Sequence, residues 1–165
     1  MADDLKLLRH DEFPPLLRQI ADPPKKLYLR GSLPSFDREW LAVVGSRALT
    51  PYGIAVCKHL IEGLRGYPIV IVSGLAIGID SIAHEAALEN GLTTISFPGS
   101  GLSPDVLYPH THTALAQRII KSGGALISPF PHHQMGAIWT FPSRNRLMAG
   151  ISHATLIIEA KKGSG

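Results

Sequence analysis

The sequence is poor in cysteine and in charge, and it has no long hydrophobic run. The single cysteine, Cys57, excludes an internal disulfide and any metal site built from cysteines alone. Its apolar neighbours, residues 54–56, predict a packed core thiol rather than a reactive one. No apolar segment approaches the ~20 residues of a membrane-spanning helix, and the acidic N-terminus lacks the hydrophobic region of a signal peptide. We therefore expect a cytoplasmic protein that does not contact a membrane.

Charge and length set only broad limits on function. Charged residues make up 18% of the 165, and the formal net charge is +3. This charge permits an anionic partner but does not require one, because a modest positive charge also serves solubility. The length and the 45% hydrophobic content suit one globular domain with a sizeable core.

The segment 69–88 has the pattern of a strand, a glycine-bearing loop and a helix. Residues 69–72 are a β-branched run that suits a strand buried on both faces of a parallel sheet. Ser73, Gly74 and Gly78 follow, and the helix N-terminus after them offers unpaired N–H groups to a phosphate. The Gly-x-x-x-Gly spacing is not the dinucleotide fingerprint, so a tight turn without a ligand remains the alternative.

The same alternation of strands and helices continues along the chain. It predicts a three-layer, doubly wound α/β fold with a mainly parallel, Rossmann-like sheet. Residues 1–26 are polar and rich in proline, which predicts an arm or linker ahead of a domain over 27–165. The chain stops in a strand-to-helix loop, so we expect this domain to be incomplete at the C-terminus. Strands are predicted at 27–31, 41–44, 69–72, 93–97, 125–128 and 154–159, and helices at 51–64, 79–88, 111–121 and 143–149.

The loops after these strands carry small and polar clusters in a distinctive order. These are Gly45-Ser46-Arg47, Ser73 to Asp80 with His84 beyond, Pro98 to Leu102, Tyr108-Pro109, and Phe141 to Arg146. As a set they resemble the DNA-processing protein A family, also called Smf, of bacterial natural transformation. The resemblance covers about residues 13–165.

The resemblance implies a function in DNA uptake. Members bind and protect single-stranded DNA, help to load the RecA recombinase onto it, and form homodimers. They are not known as enzymes and use no redox cofactor. The sequence departs from the family at Pro129, where a glutamate is usual. It also lacks the later helix and strands and the flanking small helical domains of many members.

The candidate DNA-binding residues follow from these loops. Arg47 comes directly after a buried strand, where a guanidinium can hold a phosphate with two hydrogen bonds; a structural salt bridge is the alternative. Arg144 and Arg146 are two positions apart on a helix, so only one is expected to face the pocket while the other pairs with a carboxylate. The full set is Gly45, Ser46, Arg47, Ser73, Gly74, Gly78, Phe141, Arg144, Asn145 and Arg146.

Aromatic residues beside these arginines are candidates for base stacking, because single strands bind by stacking on rings over a basic groove. Phe141 and Trp139 have base stacking and core packing as equal alternatives, whereas core packing is favoured for Phe130. Asn145 either caps backbone groups or contacts a base edge.

Acidic and histidine residues suggest no catalytic or metal centre. Asp80 is interpreted as a first-turn acid that complements the helix dipole, within hydrogen-bonding reach of His84 one turn later. The other histidines lack metal-ligand spacing, so no metal or cofactor is expected.

The competing hypothesis is a nucleotide-binding enzyme of the phosphoribohydrolase, lysine-decarboxylase-like type. Its mark is a Pro-Gly-Gly-x-Gly-Thr loop followed by a glutamate, whereas this loop reads Pro-Gly-Ser-Gly over 98–101 and no glutamate follows before Glu159. A scaffold that binds neither DNA nor nucleotide is a third alternative. We expect a protein that is not an enzyme.

Overall fold

Seven strands and four helices alternate along the computed structural model, which describes residues 5–163. The strands are β1 (Leu5–Arg9), β2 (Lys26–Gly31), β3 (Glu39–Gly45), β4 (Ile69–Ser73), β5 (Thr93–Ser96), β6 (Ala125–Ser128) and β7 (Ala154–Ile158). The helices are α1 (Pro51–Glu62), α2 (Ile79–Glu89), α3 (Thr113–Lys121) and α4 (Thr140–Ile151), with short 3-10 turns at His10–Glu12, Leu17–Gln19 and His110–His112.

All seven strands form one sheet in the order β1-β2-β6-β5-β4-β3-β7. Strands β3 to β7 are mutually parallel, which confirms the predicted mainly parallel sheet. Strand β2 runs antiparallel to β6, and β1 antiparallel to β2. The five parallel strands therefore end at one edge of the sheet, where ligands bind in open α/β folds.

Helices cover both faces of the sheet. On one face, α1, α2 and α3 bury side chains such as Cys57, Ala83 and Ile119. On the other face, α4 packs Leu147 and Ile151 onto inner strand residues. This arrangement confirms the three-layer prediction. Cys57 is fully buried, and burial raises the pKa of its thiol to about 11, as a core cysteine requires.

The N-terminal segment differs from its prediction as an arm or linker. Residues 1–4 lie outside the described residues, but β1 pairs with β2, and Phe13 and Leu17 are at most 1% exposed in the core beside α4. The prolines that suggested a linker mark turns between these buried positions. Residues 5–26 are therefore part of the domain.

Helix α4 begins three residues earlier than the predicted Ser143. The Thr140 hydroxyl accepts a hydrogen bond from the Ala137 N–H at 3.0 Å and lies 2.6 Å from the Gly99 carbonyl, to which it donates. These bonds fix the start of the helix against the loop after β5. Phe141 consequently lies in the first turn of α4 rather than in a loop.

No helix within residues 5–163 is long and apolar enough to cross a membrane.

Candidate nucleic-acid interface

A cavity of about 620 Å³ lies at the edge where the parallel strands end. Its walls come from the loop after β3, the loop between β4 and α2, and the first turns of α4. It is lined by Val44, Gly45, Ser46, Arg47, Ala48, Ala76, Asp80, Ile138, Phe141, Pro142, Arg144, Asn145, Met148 and Lys161. The fold thus brings together Gly45, Ser46, Arg47, Phe141, Arg144 and Asn145 from the predicted set.

Arg47 and Phe141 form the exposed side of this cavity. Arg47 is exposed, and its guanidinium carbon lies over the Phe141 ring, 5.1 Å from the centroid. The ring also meets Tyr108 edge-on at 5.9 Å between centroids, and it packs against the Gly99 backbone. A cation over an aromatic face is an attractive arrangement. It presents a charged group and a ring side by side to solvent.

Arg144 is in a different state although it lines the same cavity. It is 3% exposed, and its Nη1 donates to the carbonyl oxygens of Gly74 at 2.5 Å and Phe97 at 2.6 Å. Its Nη2 lies 3.9 Å from Asp80 Oδ2. Burial lowers the pKa of the guanidinium, and the charge of Asp80 opposes this effect. The expectation that Arg144 meets a phosphate is corrected: its Nη1 is bonded to backbone and its charge is buried.

Arg146 points away from the cavity. It donates to the Asp22 carbonyl oxygen at 2.5 Å, and its Nη2 lies 3.6 Å from the Asp22 carboxylate. The two arginines of α4 therefore diverge, and Arg146 pairs with a carboxylate, as the helical spacing predicts. The prediction that Arg146 belongs to the groove is not supported by this position. Asn145, between them, does line the cavity.

Two further predicted residues after β4 are enclosed rather than open to a ligand. Ser73 is fully buried, and its hydroxyl donates to the Val43 carbonyl at 2.6 Å. A Cβ on Gly74 would overlap the Arg144 guanidinium and lie 2.5 Å from Asp80 Oδ2. Both residues are therefore used for packing at the end of β4, which corrects their expected role in phosphate contact.

Gly45 and Gly78 allow the loop after β3 to approach the start of α2. Gly78 has a φ of 102°, and a Cβ there would lie 2.6 Å from Arg47 Cα. A Cβ on Gly45 would lie 2.7 Å from the Ile79 side chain. The Ile79 N–H donates to the Ser46 carbonyl at 3.1 Å, which ties the two segments together. The glycines thus hold Arg47 at the rim of the cavity.

Asp80 and His84 do not bond to each other, contrary to the sequence-based expectation. Asp80 is 6% exposed, and burial raises the pKa of its carboxyl while Arg144 opposes the rise. The His84 Nδ1 lies 2.7 Å from the Thr94 hydroxyl, which itself donates to the Ile71 carbonyl at 2.9 Å. Nδ1 is accordingly the protonated nitrogen. Burial lowers the pKa of His84 to about 3, with smaller contributions from His112 and Arg144, so the ring is neutral at pH 7.

Exposed apolar side chains in the same region were missed or left open by the sequence. Ile138 is 91% exposed, Met135 74%, Trp139 61% and Tyr108 49%. Phe130 is buried, as predicted, and meets Trp139 edge-on. The aromatic and proline content of residues 129–140 signalled a special loop but not which side chains face solvent. Within residues 5–163, no cluster of histidine, cysteine or carboxylate side chains could hold a metal ion.

Comparison with known proteins places the chain in a family. The family model described as DNA recombination-mediator protein A matches residues 5–165. The chain belongs to this family. Among curated relatives, it is 39% identical to Protein Smf of Escherichia coli over 93% of this chain and 40% of that protein. It is 40% identical to DNA processing protein DprA of Streptococcus pneumoniae over 94% of this chain and 54% of that protein.

Solved structures of family members share the fold. An X-ray structure of DprA from Streptococcus pneumoniae superposes with a TM-score of 0.86 and 35% identity, covering 97% of this chain and 56% of that one. A Helicobacter pylori DprA structure, titled for its single-stranded DNA binding mode, has a TM-score of 0.86 and 32% identity. It covers 99% of this chain and 73% of that one. The chain spans about half the length of the curated relatives that it matches.

Proposed function

We propose that this family member binds single-stranded DNA through the cavity at the carboxyl edge of its sheet. The observation that carries the proposal is the pairing of Arg47 with Phe141 at the cavity rim. A guanidinium neutralises a phosphate, and an adjacent ring stacks on a base. The relative from Helicobacter pylori, named for its single-stranded DNA binding mode, supports the same ligand class.

The biological setting that we propose is DNA uptake in natural transformation. In the full-length protein, the domain would protect incoming single strands in the cytoplasm and help to load the RecA recombinase. A homodimer is the proposed assembly. These parts of the proposal rest on the family resemblance, because the chain spans only part of its relatives.

We also propose that the domain binds DNA without catalysis. Asp80 is the carboxylate among the residues that line the cavity, and it is buried against Arg144 rather than positioned beside an open ligand site. The Ser100 hydroxyl is buried and donates to a backbone carbonyl. The phosphoribohydrolase hypothesis needs a carboxylate that can reach a bound nucleotide, and these contacts do not favour it.

A salt-dependent titration tests the proposal. Fluorescent single- and double-stranded oligonucleotides of equal length, and a nucleoside monophosphate, are each titrated with the protein from 50 to about 200 mM salt. We expect preference for the single strand and recovery of intact DNA and mononucleotide. In Arg47→Ala, we expect weaker binding and a slope of log K against log salt that is shallower by about 0.7, the value for one lost phosphate contact.

Arg65→Ala is the matched control, because Arg65 is exposed at the opposite edge of the sheet, just before β4. It should keep the parental slope. Equal loss in both variants would mean that general charge, not the cavity, attracts DNA. Absence of single-strand binding by the parent protein, or turnover that Asp80→Asn abolishes, would refute the proposed function.

A further inference from the structure

Arg144 and Asp80 connect the two helical layers across the end of β4. Arg144 is on α4, which covers one face of the sheet, and Asp80 is in the first turn of α2 on the other. Their side chains are 4% and 8% exposed, with Nη2 and Oδ2 3.9 Å apart. An ion pair this deeply buried holds its partners in place because leaving either one alone is costly.

The same pair also fixes the two loops that border the cavity. Arg144 Nη1 donates to the first carbonyl after β4, at Gly74, and to the first carbonyl after β5, at Phe97. Asp80 Oδ2 accepts from the Ala76 N–H at 3.4 Å. Gly74 has no side chain at the point where the two charged groups pass, and a Cβ there would displace them. The arrangement requires glycine at this position for steric reasons.

Phe141 lies one turn before Arg144 on the same helix, and Asn145 directly follows it. Any change in how Arg144 is held therefore moves the first turn of α4, where the ring that meets Arg47 is attached. We propose that Arg144 and Asp80 are positioning residues, which set Phe141 and Asn145 against the Arg47 loop without contacting DNA. This inference rests on the proposed function of the cavity.

The test compares Arg144→Gln, Arg144→Lys and Arg47→Gln in the single-strand titration. Arg144→Gln should weaken binding but keep the parental salt slope, because no phosphate contact is lost, whereas Arg47→Gln should lower the slope by about 0.7. Arg144→Lys keeps the charge but cannot reach two carbonyls and a carboxylate together. It should therefore fail to restore affinity. A lowered slope in Arg144→Gln, or full affinity in Arg144→Lys, would overturn the proposal.

A double-variant cycle separates positioning from general loss of stability. If Arg144 acts through Phe141, then Arg144→Lys should reduce affinity much less in a Phe141→Ala background than in the parent. Loss of the same fold in both backgrounds would mean that Arg144 supports only the fold, and the positioning role would be rejected.

Hydrogen exchange gives a readout that needs no DNA, so failure of this inference and failure of the proposed function can be told apart. Arg144→Lys and Asp80→Asn should both accelerate amide exchange in residues 74–78, in residues 97–101 and in the first turn of α4. Exchange in α3, which neither residue contacts, should stay at the parental rate under native conditions. Acceleration that is uniform across the protein, or absent from these three segments, would contradict the positioning role.

Discussion

The cavity has two sides that hold their charges in opposite ways. On the exposed side, Arg47 lies over an aromatic ring at the solvent boundary. On the buried side, Arg144 is surrounded by carbonyl oxygens and Asp80. The same residue type therefore serves two purposes within one cavity. An arginine can bind a ligand only where its donors and its charge are not already used, so the buried side should govern stability and the exposed side binding.

The largest expected difference between the two sides is in the free energy of unfolding. Arg144→Ala leaves the buried Asp80 carboxylate without its partner, which typically costs about 3–5 kcal/mol. Arg47→Ala removes an exposed side chain and should change the free energy by no more than about 0.5 kcal/mol. Urea denaturation at pH 7 measures both. Equal values for the two variants would remove the distinction between the sides of the cavity.

The next largest effect concerns DNA affinity on the exposed side. Phe141→Ala should weaken single-strand binding by about 1–3 kcal/mol through lost base stacking, with little change in the salt slope. Tyr67→Ala is the control, because Tyr67 is 64% exposed at the opposite edge of the sheet. Parental affinity in Phe141→Ala would show that the ring does not contact a base, and Trp139, which is 61% exposed, would then be the ring to substitute.

The two sides also differ in how far sequence reasoning could describe them. The parallel sheet was predictable because its strands are continuous β-branched runs, such as residues 69–72, separated by helical segments. The convergence of Arg47, Phe141 and Arg144 followed from the rule that parallel strands end at one edge. Those features depend on local pattern and topology alone.

The state of each arginine was not predictable in the same way. Whether Arg144 is buried depends on carbonyl oxygens from two loops distant in sequence, at Gly74 and Phe97. The strand β1 was missed for a related reason. Its sequence, residues 5–9, is short and mixes leucines with lysine and arginine, and only pairing with β2 makes it a strand.

The smallest expected effect tests the buried side through His84, whose ring is fully buried and neutral. Its pKa is about 3 in the folded state against 6.5 for the free side chain, so the unfolded chain binds the extra proton first as the pH falls. This contribution to stability is complete above pH 6.5 and declines by up to about 1.4 kcal/mol per pH unit below it, until the folded-state pKa is reached. Urea denaturation between pH 7.5 and 5 should therefore show a smaller decline in His84→Gln than in the parent, whereas His59→Gln, at an exposed position on α1, should not abolish the decline in the same way. Since His84→Gln alters the bond to Thr94, NMR of the parent supplies a direct measurement: the His84 ring signals should not titrate between pH 7.5 and 5. A His84 midpoint near pH 6.5 would mean that solvent reaches this side of the cavity, and the contrast between its two sides would fail.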